Sequence, residues 1–491
     1  MSKKALVLGG GGSKGAYQVG AYEALLELGF SFDIVVGTSI GALNGALIAQ
    51  GDFHKARGLW EQISVEKVIS NGLNLTHDLD YYFSNTQKIM PFLKSYAQNK
   101  GMDTTPLQAI MSKYLDWERL ESSPIDFGLV TLEVPSLTPH EVRKSEIQKD
   151  LLTLWVLASA SCFPAFPICE FGGKSFIDGG YYDNVPIDFA FKMGTESVIA
   201  VSLNPEFESR YDTNPLVTHI KPSSYLGTML DFEPAAIAQN IRLGYIETLR
   251  AFGRLKGRKY CFAKDSIDSA LESKILTLIR QILAQELSKN YSPSTITARL
   301  GAQLANTGLI SKITSQTPFC DRLLSLANFH KAPKVGWEDV LFLLAESYME
   351  ICQYERTKIW DMREVLAKAS AHFESGEFGK VLESSAGGLA GGKVDSSAES
   401  STQIATNQAG AKASKKSNEK AYEKTQEKTQ EKSGEKGALD FMLDMMAGMA
   451  GGAKFSHFKK QLLDYKPNAD LLDDKSAPIS ACVLLELMLN I

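Results

Sequence analysis

The residue best placed by its neighbours to do chemistry is Ser39, in the run Gly37-Thr38-Ser39-Ile40-Gly41. A serine hydroxyl is a weak nucleophile until a sharp turn presents it to a base. Glycines two before and two after the serine leave room for such a turn between a strand and a helix. Asp33-Ile34-Val35-Val36 supplies an apolar strand ahead of it, and Ala42 to Gln50, with Ala42, Leu43, Ala46 and Leu47 apolar, supplies a helix behind. The G-x-S-x-G pattern arises often by chance; the strand-turn-helix context is what singles this copy out.

Serine attack on an acyl group needs donors for the oxyanion that forms. Gly10, Gly11, Gly12, Ser13, Lys14 and Gly15 follow one expected strand, Lys4 to Leu8, and open an expected helix, Ala16 to Leu28. Backbone N–H groups in such a loop carry the positive end of the helix dipole and suit an oxyanion or a phosphate. The same residues fit a dinucleotide fingerprint. That reading wants an acidic residue at the end of the second strand. Here Asp33 precedes the strand, its end holds the Gly37-Thr38-Ser39 turn, and no Gly-Lys-Ser/Thr is present for a P-loop. The oxyanion reading is favoured over a nucleotide site.

The base discriminates further. An α/β-hydrolase order needs an acid and then a late histidine. Of the seven histidines, His54, His77 and His140 come too early, while His330, His372 and His457 fall in the helical part or beyond the linker. His219 reads as part of a loop with no strand before it. A carboxylate can serve if partial desolvation lifts its pKa toward working pH. Asp178, at the end of an expected strand and followed by Gly179 and Gly180, is the best such candidate, although Asp-Gly-Gly alone is more often an ordinary turn.

The elements that must hold these residues follow from hydrophobic pattern. The first forty-odd residues read as β-α-β-α, which implies a mainly parallel sheet with helices packed on it. Residues 54–121 read as helical and irregular, with Trp60, Phe92, Leu93, Leu107 and Met111 among the apolar positions. Ile125 to Val134 is a strand and Leu151 to Ala160 a short helix. Gly172-Gly173 joins two hairpin strands. Ser197 to Val201 is another buried strand, and Lys259 to Phe262 the last. Beyond residue 265 only helical stripes appear: Leu271, Ile275, Leu278, Ile282 and Leu287, then Trp337, Leu341, Leu344, Tyr348 and Ile351. Residues 374–437 are rich in Ser, Ala, Gly, Lys and Glu, with Glu-Lys pairs every four residues from Glu419 to Lys436, and are expected to form a disordered linker. Residues 438–491 turn apolar again, with Met442, Met445, Met446 and Met449. They read as docking on the protein's own helical region; the minority reading is peripheral contact with a membrane or partner.

Composition excludes several classes. The net charge of −5 argues against a general nucleic-acid binder. The six cysteines stand singly, without C-x-x-C, and read as reduced thiols. No metal-ligand cluster of the usual spacing and no cofactor motif is evident. No run reaches the ~18 apolar residues of a membrane span, so a cytoplasmic protein, in contact with membranes at most peripherally, is expected.

A glycine-rich loop, then G-T-S-x-G, then Asp-Gly-Gly about 140 residues further on resembles the patatin-like phospholipase family, including its bacterial members. Ala158 to Pro167 is similar to the family's segment leading to the catalytic aspartate, and Asp183-Asn184-Val185-Pro186 to the stretch after it. The resemblance covers about residues 3–265. It implies a three-layer α/β/α sandwich with a mainly parallel central sheet, followed by an all-helical C-terminal region. It further implies a Ser-Asp dyad: Ser39 as nucleophile, Asp178 as base, and the Gly10–Gly15 backbone as oxyanion hole, with Lys14 where the family has Arg or Lys. The expected domains are a catalytic domain (1–265), a helical domain (266–373), the linker and the Met-rich segment. The expected activity is hydrolysis of acyl esters of phospholipids or other lipids, without a cofactor. The rival readings are a catalytically silent membrane- or partner-binding scaffold and a nucleotide-binding α/β protein.

Overall fold

The computed structural model describes residues 3–70, 100–277 and 336–375, which fall within one compact unit. Phe92 and Leu93, the stripe residues from Leu278 to Leu287, His77, His330 and His457, almost all of the expected linker, and the Met-rich segment lie outside the described residues.

Two short strands set the centre. β1 (Lys4–Leu8) and β2 (Ile34–Thr38) carry apolar side chains on both faces, the pattern of parallel strands covered on both sides. They pair in parallel with Ala5 opposite Ile34. Helix α1 (Ala16–Glu27) connects them, and α2 (Ile40–Ala49) leads away from the end of β2. Parallel strands continue outward with β3 (Asp126–Val134) beside β2, β7 (Ser197–Val201) beside β1, and β8 (Val217–Ile220) beside β7. The three layers are explicit in the packing. On one face Ala5, Val7, Ile34, Val36 and Ala200 form a core with Ile187, Phe189 and Ala190 of the helix Ile187–Lys192. On the other, α2 approaches Leu8, Val35 and Phe127 at Gly45.

The far edge is antiparallel. β4 (Thr138–Arg143) and β6 (Lys174–Asp178) both pair with β3, and β5 (Cys169–Phe171) pairs with β6 across the Gly172-Gly173 turn. Both turn glycines have positive φ, 58° and 74°, the requirement of the expected two-residue hairpin. β3 is therefore a shared ruler. Its register puts Thr38, the last residue of β2, opposite Val130 and puts Asp178, the last residue of β6, opposite Thr131. Since β4 occupies the other edge of β3 over Gly128–Glu133, β2 and β6 meet end to end along one edge.

The chain departs from sequence expectation in several places. β4, β8 and the helix α4 (Pro234–Ala251) were not anticipated. His219, expected in a loop, lies in β8 opposite Ala200. A strand does occur near Lys259–Phe262, as β10 (Cys261–Ala263), yet it joins a second sheet with β9 (Leu255–Lys256) and β11 (Ile359–Trp360) instead of the main one. This small sheet pairs strands from both sides of residue 265. The helical stripe at Trp337 appears as α5 (Trp337–Ile351), followed by α6 (Met362–Ser375). No helix among the described residues is long and apolar enough to cross a membrane.

Candidate active site

The G-x-S-x-G turn is a strained elbow. Ser39 has φ 57° and ψ −125°, outside the regions that L-residues ordinarily occupy. Its glycines are there for space: a Cβ on Gly37 would lie 2.2 Å from the Gly41 carbonyl oxygen, and one on Gly41 would lie 2.2 Å from that of Leu8. Neighbouring groups hold the turn. The Ser39 N–H donates to Ser159 Oγ at 2.9 Å, and Ser159 Oγ donates to the Val130 carbonyl at 2.7 Å. Thr38 Oγ1 donates to the Asp183 carbonyl at 2.9 Å. Ile40 packs over Gly15. Ser39 is only 6% exposed, less than a bare turn suggests, because Gly10 packs against its Cβ and Asn184 against Gly10.

Asp178 reaches the same spot from β6. Its N–H donates to the Ser161 carbonyl at 2.8 Å, so the residues that end helix α3 (Leu152–Ser159) and follow it brace both Ser39 and Asp178. Gly179 sits so close to the Val130 carbonyl that a Cβ would lie 2.1 Å from its oxygen. Asp178 Oδ1 accepts from the Gly180 N–H at 2.7 Å. The carboxyl is buried, and desolvation lifts its pKa from 3.8 to about 6; the facing Ser39 hydroxyl and the Gly180 N–H pull it back down, in that order. Burial, with the Asp178 charge adding to it, also pushes the nearby Cys162 thiol up to about 12, so this cysteine is not a competing nucleophile.

The glycine loop divides its amides. The Gly10 N–H donates to the Asn184 carbonyl at 3.1 Å and the Ser13 N–H to the Met229 carbonyl at 2.8 Å. Among the described residues the amides of Gly11 and Gly12, at the start of the short 3-10 turn Gly12–Gly15, have no partner. They are the free donors of the six residues expected to line an oxyanion hole. Gly12 has φ 60° and packs against the Met229 carbonyl. Ser13 Oγ donates to the Thr228 carbonyl at 2.8 Å. The Lys14 ammonium lies 4.8 Å from the centre of the Tyr225 ring, and burial lowers its pKa. The segment Tyr225–Met229 is therefore one wall of the loop. One α4 side chain holds that segment, Asn240 Nδ2 donating to the Leu226 carbonyl at 3.0 Å, and a second, Glu247, accepts the Ser223 N–H just before it at 3.2 Å.

The structure thus brings Ser39, Asp178 and the glycine loop together. It gives roles to Ser159, Ser161 and Asn184, which lie in the two flanking segments already matched in sequence, and adds Tyr225–Met229, which sequence did not single out. Ser159, Ser161 and Asn184 act through hydrogen bonds to backbone, a role that leaves little trace in sequence. His54, His140, His219 and His372 have their ring or polar contacts elsewhere: Phe53, Glu133, Asp212 and Tyr348 respectively. Among the described residues no His, Cys, Asp and Glu side chains cluster as three potential metal ligands.

Residues 6–191 match the family model described as patatin-like phospholipase, and this stretch includes the glycine loop, the elbow and Asp178. Patatin-like phospholipase domain-containing protein 7 of Rattus norvegicus is similar at 28% identity over 54% of this chain and 19% of its own length. A lysophospholipase of Debaryomyces hansenii is similar at 28% identity over 40% of this chain and 12% of its own. The chain covers a fifth or less of the length of these curated relatives. Among solved structures, VipD from Legionella pneumophila is similar over 77% of this chain and 88% of its own, at 14% identity and a TM-score of 0.35.

Proposed function

We propose that the patatin-like phospholipase domain at residues 6–191 hydrolyses acyl esters of phospholipids or lysophospholipids through Ser39 and Asp178. The observation that carries this reading is the pairing of a nucleophile held at φ 57° with a buried carboxyl whose pKa is lifted to about 6. A base works best when its pKa lies near the working pH, because it is then both ionised and basic enough to take a proton. Ionised Asp178 takes the Ser39 proton as Oγ attacks the ester carbonyl. The amides left free in the Gly10–Gly15 loop, those of Gly11 and Gly12, receive the oxyanion. Asp178 returns the proton to the departing alcohol and leaves an acyl-enzyme on Ser39. A water molecule, deprotonated by Asp178, attacks that acyl group. Its collapse frees a fatty acid and restores Ser39. The lysophospholipase name of one relative supports a single-chain lipid as substrate class. For residues 438–491, with their methionines, docking on the protein's own helical region stays the first reading, and peripheral contact with a lipid surface is the second.

The test is a fluorophosphonate probe followed by a lipid panel. Labelling at Ser39, lost in Ser39→Ala, together with fatty-acid release from a phospholipid or lysophospholipid is the expected result. No labelling of the wild-type chain overturns the reading in favour of a scaffold. Vesicle binding lost on removal of residues 438–491 favours the lipid-contact reading, and binding that survives their removal rules it out.

A further inference from the structure

Asn184 holds the glycine loop at two points of one residue. Its carbonyl accepts the Gly10 N–H at 3.1 Å, and its side-chain Nδ2 donates to the Gly10 carbonyl at 3.4 Å. The same carboxamide faces the base: a Cβ on Gly180 would lie 3.0 Å from both Asn184 Oδ1 and Asp178 Oδ1. On the nucleophile side, a Cβ on Gly10 would lie 2.5 Å from Asn184 Oδ1 and 3.1 Å from Ser39 Cβ. One exposed side chain therefore touches the loop that carries the free amides and the turn that carries the base, and reaches the nucleophile across Gly10.

We propose that Asn184 is a positioning residue that sets the direction of the Gly11 amide relative to Ser39 and Asp178. The reason is the geometry of the peptide unit. The Gly10 C=O and the Gly11 N–H belong to one planar trans group, so whatever fixes the carbonyl fixes the amide on the other side of the bond. Glycine on both sides of that group gives it little resistance to rotation of its own. The carbonyl is therefore held by its partner, and the partner is Asn184. An oxyanion that accepts the Gly11 N–H polarises this peptide unit and strengthens the 3.4 Å bond at its carbonyl end. Asn184 Nδ2 thus acts through Gly10, and its removal affects the transition state more than ground-state binding. Because Asn184 follows the Asp-Gly-Gly turn by a few residues, the base and the free amide are tied to one short segment and keep their spacing together.

This inference rests on the proposed roles of Ser39 and Asp178, so the experiment keeps the two apart. In the full-length chain, kcat, KM and the rate of fluorophosphonate labelling are measured for wild type, Asn184→Ala and Asn184→Asp with a short-chain nitrophenyl ester. Asn184→Ala is expected to lower kcat about 10- to 100-fold with KM within about twofold. Its melting temperature should stay near that of wild type, since the side chain is exposed. Asn184→Asp is expected to move the rising limb of the kcat/KM profile up by about half a pH unit or more. Its carboxylate would stand within about 6 Å of Asp178 and disfavour that residue's ionised form. An unchanged kcat in Asn184→Ala, or an unmoved pH limb in Asn184→Asp, overturns the inference while wild-type labelling leaves Ser39 and its reading intact. A wild-type protein that neither labels nor hydrolyses overturns both.

Discussion

Among the carboxyl groups buried in the described residues, Asp178 and Glu346 stand in contrasting surroundings. At the end of β6, Asp178 has one backbone N–H partner and faces a serine hydroxyl. On α5, Glu346 is 3% exposed, and its Oε1 accepts three successive backbone N–H groups, from Arg258, Lys259 and Tyr260, at 2.7, 2.9 and 3.1 Å. Burial raises both pKa values and hydrogen bonds oppose both rises. Glu346 spends its acceptor capacity on the turn between β9 and β10, next to the small sheet that ties α5's end of the chain to residues before 265. Asp178 keeps capacity in reserve, on the side of a strained serine. Burial alone does not mark a functional carboxylate; the number and kind of its partners does.

Exchanging the two groups' partners is the strongest way to break that comparison. Asp178→Asn should cut turnover of a short-chain ester by about 10³-fold or more, since an amide cannot take the Ser39 proton. Glu346→Ala should leave kcat per folded molecule within about twofold, yet lower unfolding stability by about 3 kcal/mol or more in urea titrations, because three amide donors lose their acceptor. A large loss of kcat in the folded Glu346→Ala protein would remove the distinction.

The next test sharpens the contrast through pH. The folded pKa of Asp178 stands at about 6 against 3.8 for a solvated aspartate. Below pH 4 the group is neutral in both states and costs nothing. Between about pH 4 and 6 the unfolded chain loses this proton while the folded state keeps it, so stability falls by up to about 3 kcal/mol and levels off above 6. Asp178→Asn should therefore be more stable than wild type at pH 8 by up to that amount, with the gain vanishing below pH 4. Chemical denaturation at the two pH values checks this, and a loss of stability at pH 8 would contradict it. The smallest expected effect is kinetic: kcat/KM should rise with pH through a single limb near 6 and then level off. A limb near 4 would mean that Asp178 is not desolvated when it acts.

Much of this architecture is written locally. β1, β2 and Ser197–Val201 were legible because parallel central strands are apolar on both faces, and the Gly172-Gly173 hairpin because only glycine accepts positive φ at both turn positions without strain. β4 was not legible: Thr138–Arg143 contains a proline and charged residues and owes its pairing to β3. β8 likewise owes its strand form to β7, which is why His219 read as loop. The α4 helix starts at Pro234, a good signal at a first helical position, but Asn240, Gly244, Glu247 and Thr248 on its buried side interrupt the apolar stripe.

Sequence by itself determined the elbow: Gly37, Ser39 and Gly41 dictate a sharp turn, because no side chain other than hydrogen fits beside the Gly41 and Leu8 carbonyls. It also nominated Asp178 and the glycine loop as partners. Only the tertiary structure decided that they meet. Thr38 and Asp178 are far apart in the chain, and the register of β3, with Val130 opposite one and Thr131 opposite the other, makes them neighbours. Register depends on every residue pair along the strand and on what covers its two faces, so no short motif encodes it. The same holds for the amides of the glycine loop. Their number is in the sequence, but which remain free depends on Asn184 and Met229, whose backbone carbonyls arrive from distant parts of the chain.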